Sequence, residues 1–241
     1  MPLLEIAAAS IASAVAAQEG GADRVELCAN LREGGTTPSY GTLTEVRKRL
    51  RIPIHVLIRP RGGDFLYDEA EVAVMLSDIA ACLQTGVDGV VIGALDADGD
   101  VDLALCRRLV AAAGPLDVTF HRAFDAARDR TQALEAIVSL GCRRVLTSGG
   151  AASAPLGADA LAQLVRQSGG RVAIMAGGGV TPENVRDLVT RSGVGECHAS
   201  AGAERRSLMR LRRTDLAGLE PDFVQTDVVR VRALAAALRS A

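Results

Sequence analysis

The sequence predicts a parallel α/β barrel built from eight βα units. Three observations lead there. Short apolar runs of strand length alternate with longer helical patterns along the chain. Four helical segments end in glycine, and an apolar strand begins three or four residues after each. Those four copies lie about 50 to 65 residues apart, roughly the length of two βα units.

In chain order, the first predicted strand is Leu3 to Ala8. The second follows Gly21-Ala22-Asp23-Arg24-Val25, and the third is the apolar run Ile54 to Ile58. The fourth follows Gly86-Val87-Asp88-Gly89-Val90, and the fifth is Val118 to Phe120. The sixth follows Gly141-Cys142-Arg143-Arg144-Val145, the seventh is Val172 to Met175, and the eighth follows Gly193-Val194-Gly195-Glu196-Cys197. Each repeated glycine suits the left-handed position that closes a helix. Strands alternating with helices give a parallel sheet, and eight units in 241 residues match a closed (β/α)8 barrel. An open doubly wound sheet is the alternative. It uses fewer strands and usually a first-turn Gly-x-Gly-x-x-Gly, which is absent. No linker or low-complexity tract divides the chain, so residues 1–241 read as one domain. Ala151 to Gly157 and Ala203 to Asp222 are the longest expected loops.

Composition narrows the function. The net charge of -2 supplies no global field for nucleic acid or an acidic membrane. Aromatics are 2% of residues with no Trp, so a base-stacking platform is not expected. No apolar run reaches membrane-spanning length and no basic, then apolar, leader opens the chain, so a cytoplasmic location is expected. Five widely spaced cysteines without a Cys-x-x-Cys are expected as free thiols in a reducing compartment.

Polar residues collect where strands end, which is where barrels place their chemistry. Arg59-Pro60-Arg61-Gly62-Gly63-Asp64-Phe65 follows the third strand directly. Alternation puts Glu5 with Ala7, Glu26 with Cys28, His55 with Leu57 and Arg59, Thr119 with His121, and His198 with Ser200. Arg122 and Asp125 follow His121, and Ser148 leads into Gly149-Gly150. His121 is the leading proton-transfer or ligating candidate, because imidazole titrates near neutrality. His55 reads as a core histidine low in the barrel, and Glu5 with Arg59 as a possible interior ion pair. Asp64 and Asp125 also fit as loop or helix caps. Gly177-Gly178-Gly179 follows the seventh strand and leads to Thr181 as expected N-cap and Pro182 as first helical residue. Bare N–H groups there can cradle an anion.

Long stretches carry a family resemblance. They are Glu5-Ile6, Gly21 to Cys28, Glu33-Gly34-Gly35-Thr36-Thr37-Pro38-Ser39, Ile58 to Tyr67, Val118 to Asp125 and Val145 to Gly150. In order and spacing they resemble the CutC family, named for copper homeostasis, from about residue 3 to the helix near Leu238. The resemblance implies a TIM-type barrel, a cytosolic homodimer and a role in copper handling, with no reaction generally agreed. Cu(I) wants soft thiolate or thioether ligands, and Cys28 beside Glu26 is the best placed. Ala7 stands where members often carry Cys, and Gly202 where many carry Arg.

Two functions follow. One is a copper homeostasis protein binding Cu(I), through Cys28. The other is an enzyme acting on a small anionic or phosphorylated metabolite. There Glu26 or His121 moves a proton, Arg59 and Arg61 hold a carboxylate or oxyanion, and Gly177 to Gly179 hold the phosphate. Glu5, Asp64, Arg122, Asp125, Ser148, His198 and Ser200 complete the expected anion-binding mouth. A hard divalent metal on Glu5, Glu26 and His121 is a variant of this second reading.

Overall fold

The structure is a computed structural model that describes residues 1–216 and 219–239. Eight parallel strands close into a barrel in sequence order. They are β1 (Leu3–Ala8), β2 (Arg24–Leu27), β3 (Ile54–Leu57), β4 (Gly89–Ile92), β5 (Asp117–Phe120), β6 (Arg144–Thr147), β7 (Ala173–Gly177) and β8 (Glu196–Ala199). The helices that follow them are α1 (Ile11–Glu19), α2 (Tyr40–Arg47), α3 (Glu69–Thr85), α4 (Leu103–Ala113), α5 (Arg130–Ser139), α6 (Ala158–Ser168), α7 (Val185–Ser192) and α8 (Val228–Arg239). The expected (β/α)8 architecture is therefore the observed one. No helix among the described residues is long and apolar enough to cross a membrane.

Local chemistry sets the helix ends. Ser10, Ser39, Asp102 and Asp129 cap their helices with a side-chain oxygen on a first-turn N–H. Asp68 does the same for α3, and Glu71 returns the bond to complete a capping box. The four repeated glycines all have positive φ: Gly21 89°, Gly86 69°, Gly141 75° and Gly193 71°. A β-carbon is disfavoured there, which is why glycine recurs at the helix-to-strand turn.

Two expectations are corrected. Thr181 does not cap α7, which starts at Val185 behind Asn184. The Asn184 side chain instead accepts from the Thr181 N–H at 2.9 Å and donates to the Gly179 carbonyl at 2.9 Å, so residues 180–184 form their own turn. The stretch after β8 is not simply a loop. A two-stranded antiparallel ribbon, β9 (Gly202–Arg205) with β10 (Phe223–Thr226), opens and closes it.

The main apolar core lies between barrel and helices, with Leu4, Ile6, Leu27, Ile54, Ile92 and Phe120 fully buried in it. The opposite strand parity lines the bore. There the residues are strongly polar: Glu5, Arg24, Glu26, His55, Thr119 and Arg144 are all buried. Register places them as neighbours, with Glu5 beside both Arg24 and His198, Ala7 beside Glu26, and Thr119 beside Arg144.

Candidate functional site

The bore has a closed floor and an open mouth. On the floor, Arg24 pairs with Glu5, donates to Glu196 at 2.6 Å and reaches the Met175 sulfur at 3.3 Å. Arg144 donates to the same Glu196 oxygen at 3.1 Å and to Thr119 at 3.1 Å. It also lies 3.4 Å from His55 Nδ1 and 3.5 Å from Asp117. Every buried charge here has a partner of opposite sign, as burial demands. Burial, the dominant influence, helps lower His55 to about 4, so it stays neutral as the expected core histidine. The expected Glu5–Arg59 ion pair does not form, because the register across the barrel gives Glu5 to Arg24.

Glu5 links floor to mouth. Its other oxygen meets His198 Nδ1 at 2.8 Å, and His198 Nε2 lies 3.8 Å from Glu26. Burial would raise the Glu5 carboxyl, but the His198 hydrogen bond and the Arg24 charge hold it well below the carboxylate range. Glu26 lacks that help, and burial pushes it up to about 7 despite His198. Burial opposes charge on His198 too, yet Glu26 and Glu5 raise its pKa. Two buried carboxyls a strand apart thus sit in opposite protonation regimes, which is how acid and base roles separate.

Above this triad opens a cavity of about 490 Å³. Glu26, Arg59, Phe65, His121, Arg122, Gly178, Gly179, Val180, Thr181, His198 and Ser200 line it, with Ala7, Leu57 and Leu146 at its base. Sequence reasoning gave no role to Phe65, the last residue of the Arg59–Phe65 motif, or to Val180, which follows Gly177-Gly178-Gly179. It also passed over Arg24, Arg144 and Glu196, whose charges face inward on strands that read simply as apolar.

Several predicted roles change. His121 is buried, and its Nδ1 accepts from the Ala123 N–H at 3.1 Å. Burial and the Arg59 charge lower it to about 3. It is therefore a neutral imidazole carrying its proton on Nε2, a hydrogen-bond donor instead of the expected acid or base. Nε2 has no partner within the protein's described residues. Arg59 reaches the cavity, but its guanidinium donates to the Glu33, Gly35 and Gly63 carbonyls at 2.7–2.9 Å. It fastens two loops through its terminal nitrogens, while its Nε is buried without a partner among the described residues. Arg61 and Asp64 lie outside the cavity, paired with each other at 2.9 Å, and Arg61 pairs with Glu71 at 2.5 Å. Asp125 accepts from Arg122, Thr147, Ser148 and Gly150, tying the end of β6, so it caps a turn instead of meeting a ligand. Ser148 is buried against Asp125 and the Ala151 carbonyl. Gly177 lies inside the barrel, where a β-carbon would come within 2.5 Å of Leu146. Gly178, Gly179, Arg122, His198 and Ser200 keep their expected place at the mouth. Glu5 lies beneath it and acts through His198.

Copper can be tested against the donors present. Cys28 packs with Leu57 and Val91 and points its thiol at the Ala8 carbonyl, 3.8 Å away. Burial, then the Glu26 charge, push its pKa well up, which disfavours thiolate. Among the described residues, the one group of three or more His, Cys, Asp or Glu that converges for a metal is Glu5, Glu26 and His198, with ligand atoms within 4.8 Å. It contains no sulfur, and His198 stands where His121 was expected. That oxygen-rich set does not fit Cu(I), and Glu5 is already held by Arg24 and His198.

With this geometry in place, likeness to known proteins is decisive for the family. A sequence profile of the CutC family matches residues 2–203. The chain belongs to the CutC family. A family protein CutC of Chromobacterium violaceum is 54% identical over 245 residues, covering 99% of each chain. The mouse copper homeostasis protein cutC homolog is 48% identical over 238 residues, covering 96% of this chain and 88% of its own. A crystal structure of CutC from Streptococcus agalactiae superposes with a TM-score of 0.80 at 34% identity, over 83% of this chain and 99% of that one. Phosphoribosyl anthranilate isomerase from Thermotoga maritima has a TM-score of 0.62 at 13% identity over 100% of both chains, a likeness of fold alone. Within the CutC family, then, this member presents a polar bore with a buried glutamate, its pKa raised by burial, at its mouth.

Proposed function

We propose that the chain serves the copper homeostasis for which its relatives are named through a small-ligand site, as an enzyme on a small anionic or phosphorylated metabolite. It does not do so through a Cu(I)–thiolate centre. One observation carries this: uncommitted groups of complementary chemistry face a single cavity. Glu26 accepts no hydrogen bond among the described residues and is balanced near neutrality. The N–H groups of Gly178, Gly179 and Val180 have no backbone acceptor among those residues. Arg122 is held by Asp125 at 2.7 Å and by Ser148 at 3.1 Å, and its Nη1 stands beside Gly178, 3.5 Å from where a β-carbon would be. Loops after strands seven and eight are where barrels commonly hold phosphate. The family's cytoplasmic homodimer is part of this reading.

The test pairs two titrations on the full chain. Inorganic phosphate followed by ³¹P NMR is expected to bind, and Arg122→Ala to weaken it about 10-fold, the loss of one charged hydrogen bond. Anaerobic Cu(I) titration against a competing chelator is expected to show weak binding unchanged in Cys28→Ala. Tight stoichiometric Cu(I) lost in Cys28→Ala would overturn the reading in favour of direct copper binding.

A further inference from the structure

We propose, resting on and deepening the reading above, that the ligand is a phosphorylated carbonyl compound. The reaction is proton transfer at the carbon beside its carbonyl, with Glu26 as the base and His121 Nε2–H on the carbonyl oxygen.

His121 is held as a donor from three sides. The Ala123 N–H occupies Nδ1 at 3.1 Å. The Phe65 ring packs at 5.1 Å between centroids and is itself covered by Arg59 at 5.0 Å. Across the ring stands Gly93, where a β-carbon would fall 2.5 Å from the imidazole. These contacts crowd the ring, the bond to Nδ1 leaves the proton on Nε2, and His121 is one of the residues that line the cavity. His121 is 4% exposed and its Nε2 is buried without a partner among the described residues, which costs about 1–3 kcal/mol unless something accepts from it. An uncharged, fixed N–H in a dry site suits an oxygen that gains negative charge only during reaction.

Glu26, 5% exposed, lines the same cavity with no hydrogen bond of its own among the described residues. Its nearest charged neighbour at the mouth is His198 Nε2 at 3.8 Å, which Glu5 holds from the far side. A carboxylate so placed can take a carbon-bound proton and return it. Other chemistry lacks its parts. Ser200 is the one lining serine among the described residues, and it is exposed with no bonded base. Cys28 does not line the cavity. Nucleophilic catalysis needs an activated nucleophile. The anionic end of the ligand falls to Gly178, Gly179, Val180 and Arg122.

The step balances without a co-reactant. Glu26 removes the proton from the carbon next to the carbonyl. The C–H electron pair becomes the C=C bond of an enediolate, and the carbonyl π pair moves onto oxygen, where His121 Nε2–H receives it. In a 2-hydroxy carbonyl compound, return of the proton from Glu26 to the former carbonyl carbon, with the adjacent hydroxyl proton passing to the enediolate oxygen as the new C=O forms, gives the aldose–ketose isomer, and return to the other face of the same carbon gives the epimer. Nothing is oxidised or reduced overall.

The test is hydrogen exchange. The full chain is incubated in D₂O with triose, tetrose and pentose phosphates and their unphosphorylated counterparts, and ¹H NMR follows the C–H beside the carbonyl. Deuterium is expected in at least one phosphorylated compound and in none of the unphosphorylated ones. Glu26→Gln and His121→Phe should each slow it about 100-fold, with phosphate binding by ³¹P NMR retained. No exchange across the panel, or exchange equal in Glu26→Gln, overturns this inference. If phosphate still binds in that case, the small-anion reading stands and the carbonyl chemistry alone falls. If phosphate does not bind, both fall. ¹⁵N NMR gives an independent readout: His121 should remain neutral with its proton on Nε2 between about pH 5 and 8. A proton on Nδ1, or charging within that range, removes the role assigned to it.

Discussion

Floor and mouth of one bore treat buried polar groups in opposite ways. On the floor Arg24, Glu5, Glu196 and Arg144 close on one another, and each charge meets its opposite. At the mouth Glu26, His121 Nε2 and the N–H groups of residues 178–180 have no hydrogen-bond partner among the described residues. Glu5 and Glu26 are strand side chains that both face the bore, a few ångströms of rise apart. The floor is a means of filling a polar barrel, and the mouth is left unsatisfied for a ligand to complete. Glu5 and Glu26 express the contrast in one property. One is held ionised by Arg24 and His198, while the other is pushed up to about 7 by burial.

The sharpest way to break the comparison is at the floor. Arg24→Met leaves Glu5 with His198 alone and removes one of the two arginines that pair with Glu196 in the interior. It should destabilise the fold by about 3–5 kcal/mol, measured by urea unfolding. A loss under about 1 kcal/mol would mean that the floor is no more tightly coupled than the mouth.

Next is the pH dependence of the mouth. The Glu26 carboxyl is raised from 4.5 to about 7 on folding, so between those values the folded state holds a proton that the unfolded state has released. Stability should therefore fall as pH rises from about 4.5 to 7 and then level off, by on the order of 3 kcal/mol from this group. Glu26→Gln should remove that decline, and urea midpoints of both proteins across the window decide it. A parallel decline in Glu26→Gln would assign the titration elsewhere.

The smallest effect is expected outside the cavity. Arg61→Ala loses exposed ion pairs with Asp64 and Glu71, worth under about 1 kcal/mol, and should leave phosphate affinity unchanged. A 10-fold weakening of phosphate binding would extend the mouth to this loop.

Much of this was legible in the sequence, for a physical reason. Apolar strand runs and glycines at positive φ are local signals, so the eight units and their order could be read directly. Parity along a strand is also local, and it brought Glu26, His198 and Ser200 to one end correctly. Pairing between strands is not local. Whether Glu5 meets Arg59 or Arg24 depends on the stagger of the closed sheet, which no single strand records. Commitment is equally invisible. Arg59 and Asp125 have the right chemistry for a ligand, but loop carbonyls and turn N–H groups had already engaged them. At residues 181–184 the motif Thr-Pro-Glu-Asn fits an N-cap, yet Asn184 competes for the Thr181 N–H and delays the helix.

Strand β4 turns glycine toward the bore at Gly89 and, just past its end, at Gly93, and a histidine ring rests against each. A β-carbon at Gly89 would strike the Asp117 backbone as well as His55, both at 2.7 Å. At Gly93 it would strike the His121 ring at 2.5 Å and come within 3.1 Å of the Ala123 β-carbon. A side chain can swing away where a backbone cannot. One methyl at position 93 would therefore yield a barrel that still folds and still holds an anion but has its His121 ring displaced. In a living cell such a decoy separates what the protein accomplishes by its chemistry from what it accomplishes by its presence.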